Sequence, residues 1–450
     1  MLSTPLSIGS RPDIVLQHRE RFLLLTLFLL LASEVFGGAL RYLLSNASMT
    51  WMIYLPKILT AFFVFGMFVF DIYHGVLRRS LVLFLSIVCF LSIVGILFTN
   101  NISQVGFGFF VILPLLLGVV SVPALAKFSN RLLPYVIALW AAAAIGVIYD
   151  FYSELPWSGA SYQIGDQELI VSRQWRTQEF DRIAGFSRAS FAVADQLLIF
   201  ATITIILSRD RLIPVVIWLM TGPLITLTTT KKTLLAYALL TLLAPMLSHW
   251  TSISFKIALR TLTPWFVVVT GMVLPLSTLF VNYSLDINSD IGVLLLNSFE
   301  DRLINTWPDT FKLLFEHGNA IFGRGIGGIG MAQFYFEPEI FSPADNFYLY
   351  IYFTSGLLCL PFLAFFARSL ATLDIQHSSC AQLVWFLGVN ALILGWASND
   401  IEDVLISVSL GFAIGFLLHK KQYRESLIAF CGMPSGSIRS KLRSWRHHSQ

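Results

Sequence analysis

Six basic residues and one carboxylate stand in the polar segments that flank the long apolar stretches of this chain. They are Arg182, Arg188, Lys231, Lys232, Arg302, Arg324 and Asp345. The planar guanidinium of arginine pairs with two phosphate oxygens at once, and lysine supplies a compact positive charge. A neighbouring carboxylate can accept a proton from an attacking hydroxyl group. These residue types predict a site that binds a phosphate-bearing anion and activates a hydroxyl group beside it.

A glycine-rich turn leads towards the carboxylate. The segment FGRGIG, residues 322–327, precedes Asp345-Asn346. The turn either contributes Gly325 and Gly327 to an anion site or only lets two backbones pass closely. The glycines also fit G-x-G-x-x-G with an acidic residue about 20 positions further on, which is the spacing of a dinucleotide-binding fingerprint. That fingerprint needs a buried strand before it. Only two apolar residues precede these glycines, so we exclude a nucleotide-binding unit.

The composition is that of a membrane protein. Of the 450 residues, 56% are hydrophobic and 12% are charged, which is about half the charged fraction of ordinary globular proteins. The apolar residues fall in runs of about 17–23, the length that an α-helix needs to cross a bilayer. The formal net charge of +4 does not indicate nucleic-acid binding, because most basic residues lie in short loops and in the C-terminal tail. The four cysteines show no metal-binding spacing.

We predict an all-α polytopic membrane protein with about twelve transmembrane helices. The predicted spans are residues 22–44, 51–72, 81–99, 105–123, 132–150, 189–207, 212–228, 232–249, 262–281, 346–367, 381–398 and 403–418. Cytoplasmic loops of membrane proteins are enriched in Lys and Arg. Each loop predicted on that side carries at least one, whereas the short loops 45–50, 100–104 and 399–402 carry none. Both termini are therefore predicted to be cytoplasmic.

This topology divides the chain into five parts. They are a cytoplasmic segment at 1–21, nine helices at 22–281 with an outer loop at 151–188, a large outer loop at 282–345, three helices at 346–418 and a basic cytoplasmic tail at 419–450. Inside the large loop, Thr306 and Asp309 form a capping-box pattern, which predicts a helix with Pro308 in its first turn. The basic tail suits either anionic lipid headgroups or plain solvation.

Several charged residues lie within the predicted spans. A lone charge at the centre of a bilayer helix costs on the order of 2.5–3.5 kcal/mol. Glu34 and Arg41 are seven residues apart, which places them on one face of a continuous helix. Lys57 and Asp195 lie about two turns inside their spans. These residues either snorkel and form an ion pair, or they belong to the same outer site as the lysines at 231 and 232.

Four short motifs occur one after another along the chain. They are Arg182-Ile-Ala-Gly185, TTKKT at 229–233, FGRGIG at 322–327 and Asp345-Asn346. In type, order and sidedness they resemble the R-x-x-G, S/T-(K/R)-T and closing signatures of the bacterial O-antigen ligase and Wzy-type polysaccharide polymerase family. Two positions depart from that pattern. Ser190-Phe191 replaces a Pro-Asn pair, and Asp345 stands where ligases usually carry histidine, a difference that favours a polymerase.

The resemblance implies glycosyl transfer at the outer face of a bacterial inner membrane. The donor would be a glycan joined to a polyprenol through a diphosphate, and an acceptor hydroxyl group would attack it. Asp345 is the implied base, and Arg182 and Arg302 are the implied catalytic cations. The residues implied to bind substrate and diphosphate are Arg188, Lys231, Lys232, Arg324, Gly325, Gly327 and Asn346. No cofactor or metal site is implied.

We predict a polymerase of lipid-linked repeat units for exopolysaccharide or O-antigen synthesis. Its candidate partners are membrane lipids, a flippase and a chain-length regulator, with no role for nucleic acid. One alternative is a ligase that transfers the glycan to lipid A-core or to another acceptor. Another is a flippase or exporter of the same lipid-linked sugars, although such transporters often show repeated halves and no repeat is visible here. Asp345 has an alternative role as the N-terminal cap of the helix that begins near Asn346.

The topology can be tested by labelling single cysteines from either side of the membrane. We expect cysteines within 151–188 and 282–345 to react with an impermeant reagent added outside, because both loops are predicted to be external. A cysteine at Asp210 should react only after the membrane is opened. Labelling of 282–345 from the cytoplasm alone would overturn the predicted orientation.

Overall fold

The computed structural model describes most of the chain. The described residues are 12–73, 79–164, 167–172, 176–177, 180–208, 210, 212–248, 251–284, 297–376 and 378–418. The predicted basic tail at 419–450 and the predicted cytoplasmic residues Arg11, Arg78, Arg209 and Arg211 lie outside these ranges.

Helices make up most of the described structure. They are α1 (Pro12–Val35), α2 (Gly37–Asn46), α3 (Leu55–Tyr73), α4 (Arg79–Thr99), α5 (Ile102–Tyr152), α6 (Ser190–Leu207), α7 (Leu212–Leu227), α8 (Lys231–Leu243), α9 (Ile253–Ser277), α10 (Trp307–His317), α11 (Met331–Phe336), α12 (Phe347–Ser355), α13 (Cys359–Ala371), α14 (Ser379–Leu394) and α15 (Val404–Leu418). Two small antiparallel hairpins lie between α5 and α6. They pair β1 (Ser161–Ile164) with β2 (Gln167–Ile170), and β3 (Arg176–Thr177) with β4 (Phe180–Asp181).

The all-α membrane class is confirmed. Within the described ranges, seven helical stretches are long and apolar enough to cross a membrane, or up to eight if the bent pair α1–α2 counts as one span. α7, α14 and α15 are apolar but shorter. The predicted spans 105–123 and 132–150 correspond to two separate candidate spans, Ile102–Leu125 and Leu132–Tyr152. Both lie in α5, whose helical assignment is continuous and contains Pro114, Pro123 and Pro134. A proline removes one backbone hydrogen bond and kinks a helix without having to end it.

The first predicted span is broken by a sharp bend. α1 and α2 meet at 84°, where the Gly38 N–H donates to the Phe186 carbonyl at 2.8 Å. A Cβ on Gly38 would lie 2.6 Å from the Ser187 carbonyl oxygen, so the close approach requires glycine. Because of the bend, Glu34 and Arg41 do not share a helical face as predicted. No ion pair joins them in the part of the chain that the structure describes.

The core of the fold is formed by α5, α6, α14 and α15. In α6, 72% of the residues are buried, against 22% in α4. α5 and α15 pack with backbone against backbone, since a Cβ on Gly411 would lie 2.0 Å from the Leu115 carbonyl oxygen and one on Gly118 would lie 2.3 Å from that of Val408. Small residues permit this close packing where helices gain little from the hydrophobic effect. The outer helices instead expose large apolar side chains such as Phe62.

The glycine turn clamps the long loop to the helices. Arg324 and Gly325 donate their N–H groups to the carbonyls of Phe353 and Thr354, at 2.7 and 2.9 Å. A Cβ on Gly325, whose φ is +77°, would lie 2.0 Å from the backbone nitrogen of Gly95 in α4. The structure therefore agrees with the second interpretation of this turn, in which the glycines let two backbones pass closely. No strand lies directly before the glycines.

The long loop carries the predicted helix but starts it differently. Residues 297–301 are already helical, and a π-helical turn at Arg302–Thr306 leads into α10. Thr306 has helical dihedrals and makes no capping bond, so the predicted capping box is wrong. Pro308 has no N–H, and the N–H of Trp307 reaches back five residues to the carbonyl of Arg302. Because Pro308 cannot donate a backbone hydrogen bond, the helix widens into a π-helical turn at this point and does not end.

Two glycines of α5 provide a matched test of this packing. We expect Gly108→Ala to lower the thermal unfolding midpoint of the purified protein, because its Cβ would lie 2.6 Å from the Cα of Gly327 and such overpacking costs about 1–3 kcal/mol. Gly106→Ala, with open space at its Cβ, should leave the midpoint unchanged or raise it, because alanine favours a helix. Equal midpoints for the two variants would contradict the clamp.

Candidate functional site

The Arg182-Ile-Ala-Gly185 turn is held by a carboxylate at the end of α5. Asp150 accepts hydrogen bonds from the N–H groups of Ala184 and Gly185, at 2.9 and 2.8 Å. Gly185 has a φ of +60°, and a Cβ there would lie 2.8 Å from the Gly146 carbonyl carbon. The Trp157 indole donates to the Gly185 carbonyl at 3.0 Å. The turn is thereby fixed with Arg182 partly exposed at its start.

The two lysines of the TTKKT motif have different surroundings. Lys232 lies 2.8 Å from the fully buried Asp195 carboxylate and donates to the Ser398 hydroxyl at 2.8 Å. Lys231 makes no ion pair within the described ranges. Successive residues of an α-helix point about 100° apart, so only one of the two can face the buried acid. Lys232 anchors α8, and Lys231 is the lysine that remains for an anion.

Behind Lys232 lies a buried polar group that connects α6 and α8 with the loop between α14 and α15. Asp195 also accepts a hydrogen bond from Thr233, and Ser398 donates to Asp400 at 2.6 Å. Burial raises the pKa of the Asp400 carboxyl well above its ordinary value, against the opposing effects of Lys232 and Ser398. The ammonium of Lys232 is thus paired directly with Asp195 and reaches Asp400 only through the Ser398 hydroxyl. This group was missed as a unit in the sequence, where only Asp195 stands out as a charge inside a span.

The π-helical turn presents Arg302 to Asp345. The Arg302 Nη2 lies 3.1 Å from Oδ2 of Asp345, and its Nη1 donates to the carbonyl and hydroxyl of Ser298 at 2.8 and 2.6 Å. The Asp345 side chain is 40% exposed. Ala344 and Asp345 have φ of +58° and +44°, a conformation that costs an L-residue roughly 1–2 kcal/mol. Such strain persists where surrounding structure enforces it, and it clusters at functional sites.

These turns bring Arg182, Lys231, Arg302 and Asp345 into one electrostatic group. Burial and the neighbouring charge of Arg302 lower the pKa of Arg182. Both arginines also act on the charge of Lys231. Since arginine stays protonated in proteins, the three cations repel one another, and Asp345 pairs with Arg302 among them. The group can bind a multivalent anion such as a diphosphate.

Three other predicted site residues have structural roles. Arg324 is 2% exposed, and its guanidinium donates to Glu337 at 2.6 Å and to the Gly328 carbonyl at 3.0 Å. Its charge is thus neutralised inside the loop, while Gly325 and Gly327 pack against α4 and α5. We therefore leave all three out of the proposed anion site.

Asn346, rather than Asp345, caps α12. Its side-chain oxygen accepts from the Leu349 N–H at 2.8 Å, and its amide donates to the carbonyls of Gly271 and Trp396. Asn346 is fully buried and both N–H donors of its side chain are used within the protein, so we leave it out of the proposed anion site. The capping alternative for Asp345 is wrong, and its carboxylate remains directed towards Arg302.

Arg188 belongs to different surroundings from Arg182. It lies near the N-terminus of α2, where a Cβ on Gly37 would be 3.8 Å from its own Cβ. It acts electrostatically on Lys57 and Tyr54. The structure therefore separates the predicted arginines into two groups on one segment.

Comparison with known proteins gives this site no further identity. No protein-family model matches the chain, and no curated protein matches it. The resemblance to O-antigen ligases and polymerases thus rests on the four sequence motifs. Among the described residues, no group of three or more His, Cys, Asp and Glu is arranged to hold a metal ion.

The different surroundings of the two lysines can be tested by their effects on stability. We expect Lys232→Met to destabilise the protein by about 3–5 kcal/mol, because it leaves a buried charge on Asp195 unpaired. Adding Asp195→Asn should restore most of the loss, since Asn can still accept a hydrogen bond from Thr233. Lys231→Met serves as the matched control and should leave the thermal unfolding midpoint nearly unchanged. Equal destabilisation by both single variants would contradict the assignment.

Proposed function

We propose that this protein polymerises lipid-linked oligosaccharide repeat units, as a glycosyltransferase of the bacterial inner membrane whose donor carries a polyprenyl diphosphate. One observation carries the proposal. Arg182, Lys231 and Arg302 come from three distant parts of the chain and act on one another's charge, and Arg302 pairs with the carboxylate of Asp345 at 3.1 Å. A cluster of cations beside a partly exposed carboxylate is what a diphosphate leaving group and an attacking hydroxyl require.

The transfer involves one bond formed and one broken. The acceptor hydroxyl oxygen attacks the anomeric carbon of the donor glycan, and the bond from that carbon to the diphosphate oxygen breaks. The diphosphate leaves with the electron pair, and Arg182, Lys231 and Arg302 stabilise its growing charge. The hydroxyl proton passes to the Asp345 carboxylate, which is held by Arg302 at 3.1 Å. Attack opposite the leaving group inverts the anomeric centre.

The proposal includes the twelve-span topology with both termini in the cytoplasm. Contacts between helix ends support the sidedness. The Ser80 hydroxyl, before a predicted outward span, donates to the carbonyl of Leu418 at the end of the last one. Arg260 donates to the carbonyl of Leu373, and both lie in predicted cytoplasmic loops. On the opposite side, Gly108 and Gly146 of α5 both lie against predicted outer loops, as two antiparallel spans would require.

A ligase for lipid A-core or another acceptor uses the same donor chemistry and remains the nearest alternative. An exporter of lipid-linked sugars is favoured by one separate observation, the buried group of Asp195, Lys232 and Asp400. Buried ionisable residues in membrane helices are frequent in proton-coupled transport. In the proposed enzyme this group has a structural role, so a neutralised Asp195→Asn/Lys232→Met pair should still transfer glycan. In a transporter, the same pair of substitutions would abolish the coupling of transport to proton movement.

The role of Asp345 can be tested with purified enzyme and lipid-linked repeat units. We expect Asp345→Asn to reduce polymer formation by a factor on the order of 10²–10⁴, the usual range for a lost general base. Asparagine can still accept the bond from Arg302 but cannot take a proton. Asp301→Asn removes a carboxylate from the same loop and should retain near-native activity, because Asp301 is exposed and contacts Asn305 and Thr306.

Product ladders on gels would measure both variants, with insertion and folding checked by thermal unfolding. Near-native activity of Asp345→Asn would mean that Asp345 only orients Arg302. Absence of any transfer by the wild-type protein, with both lipid-linked donor and acceptor supplied, would overturn the proposed function.

A further inference from the structure

A second group of cations lies apart from the first. Arg41 comes from α2, Lys57 from α3, and Arg188 from the segment before α6. A Cβ on Gly37 would lie 2.9 Å from Nη1 of Arg41 and 3.8 Å from the Cβ of Arg188, so the two arginines approach each other at the bend between α1 and α2. Both also act electrostatically on Lys57.

Two of these cations have no carboxylate partner in the described chain. The Lys57 ammonium lies 5.1 Å from the centre of the Phe110 ring, and no hydrogen bond or ion pair holds it. Arg41 donates through Nη1 to the Gly37 carbonyl at 2.7 Å, while its buried Nε has no acceptor. Glu34 and Glu402 act on Lys57 electrostatically, but neither is within ion-pair distance of it. A cation in an apolar setting is costly unless something pairs with it.

A row of aromatic rings runs along one side of this group. Tyr54 lies 6.3 Å from Phe110, Phe110 lies 6.1 Å from Phe107, and Phe107 lies 5.1 Å from Tyr335, measured between ring centres. Tyr54 also acts electrostatically with Arg41 and Arg188. The row runs from Tyr54, just before the helix α3 that carries Lys57, through α5 to Tyr335 in the long loop. It gives the cations an apolar wall, with tyrosine hydroxyls at both ends.

The two cation groups are built from different elements but share one segment. The first draws on α8, the π-helical turn and the start of α12. The second draws on the α1–α2 bend and on α3. Arg182 and Arg188 stand at opposite ends of the segment that Asp150 and Gly38 hold. Two anions, one bound at each cation group, would therefore lie on opposite sides of this fixed turn.

We propose that the Arg41, Lys57 and Arg188 group binds the diphosphate of a second polyprenyl-linked saccharide, the acceptor of the transfer. This inference rests on the proposed function. In polymerisation both reactants are lipid-linked diphosphates, so two anions must be held at once, whereas the first cation group can neutralise only the donor. Pairing with this diphosphate also explains why Arg41 and Lys57 lie in predicted spans without carboxylate partners.

The test counts bound molecules by native mass spectrometry. The full-length protein is reconstituted in nanodiscs of phosphatidylcholine and titrated with a polyprenyl diphosphate. We expect wild type to bind two molecules and the Arg41→Met/Lys57→Met variant to bind one. Lys312→Met removes an exposed charge in α10, outside both groups, and should still bind two. Because the double variant could unfold, Lys57→Gln is measured alongside and should weaken the second binding event at least tenfold.

The outcomes separate this inference from the proposed function. If wild type binds a single molecule that Arg302→Met removes, the second site is wrong while the enzyme proposal stands. If wild type binds none, both fail. Displacement of the second molecule by phosphatidylglycerol at equal concentration would identify an ordinary headgroup site and would also overturn the inference.

Discussion

The need to compensate charge in an apolar setting governs this structure. Burying an ion is costly, and the cost is recovered only by a well-placed partner. Lys232 and Arg324 have such partners in Asp195 and Glu337, and both have become part of the scaffold. Lys231 has no ion pair within the described ranges, and Arg302 pairs only with the partly exposed Asp345. That difference separates the cations that hold the fold together from those that remain available to a ligand.

Irregular backbone supplies the positions that regular helices cannot. The α1–α2 bend, the π-helical turn and the left-handed residues before α12 each depart from regular helix geometry beside a charged side chain. Backbone polar groups freed by an interruption must find partners in a membrane protein. At the α1–α2 bend the Gly38 N–H donates to the Phe186 carbonyl, and in the π-helical turn the Trp307 N–H donates to the Arg302 carbonyl. The irregular backbone thus keeps hydrogen-bond partners within the protein.

The sequence predicted the helices well because hydrophobic length is a local property. It grouped Arg182, Lys231, Arg302 and Asp345 in one site together with Arg188, Lys232 and Arg324, since their side chain types and sidedness agree. It could not separate Lys231 from Lys232, because that depends on which neighbour faces Asp195. It assigned Arg324 and Asn346 to the substrate, because their partners Glu337, Gly271 and Trp396 become neighbours only in three dimensions. The α1–α2 bend escaped prediction for the same reason, since the approach of Phe186 and Ser187 makes it.

Because of the π-helical turn, the number of residues in this segment helps to determine the geometry of the site. A wider turn holds one residue more than an α-helix covering the same rise, and removing that residue would rotate everything before it by about 100°. Arg302 would then point away from Asp345, although no side chain had been changed. Across divergent relatives, insertions and deletions should therefore accumulate elsewhere in the long loop, while the count from Arg302 to Trp307 is kept. Here the register of the chain, as much as its composition, determines whether the guanidinium meets the carboxylate.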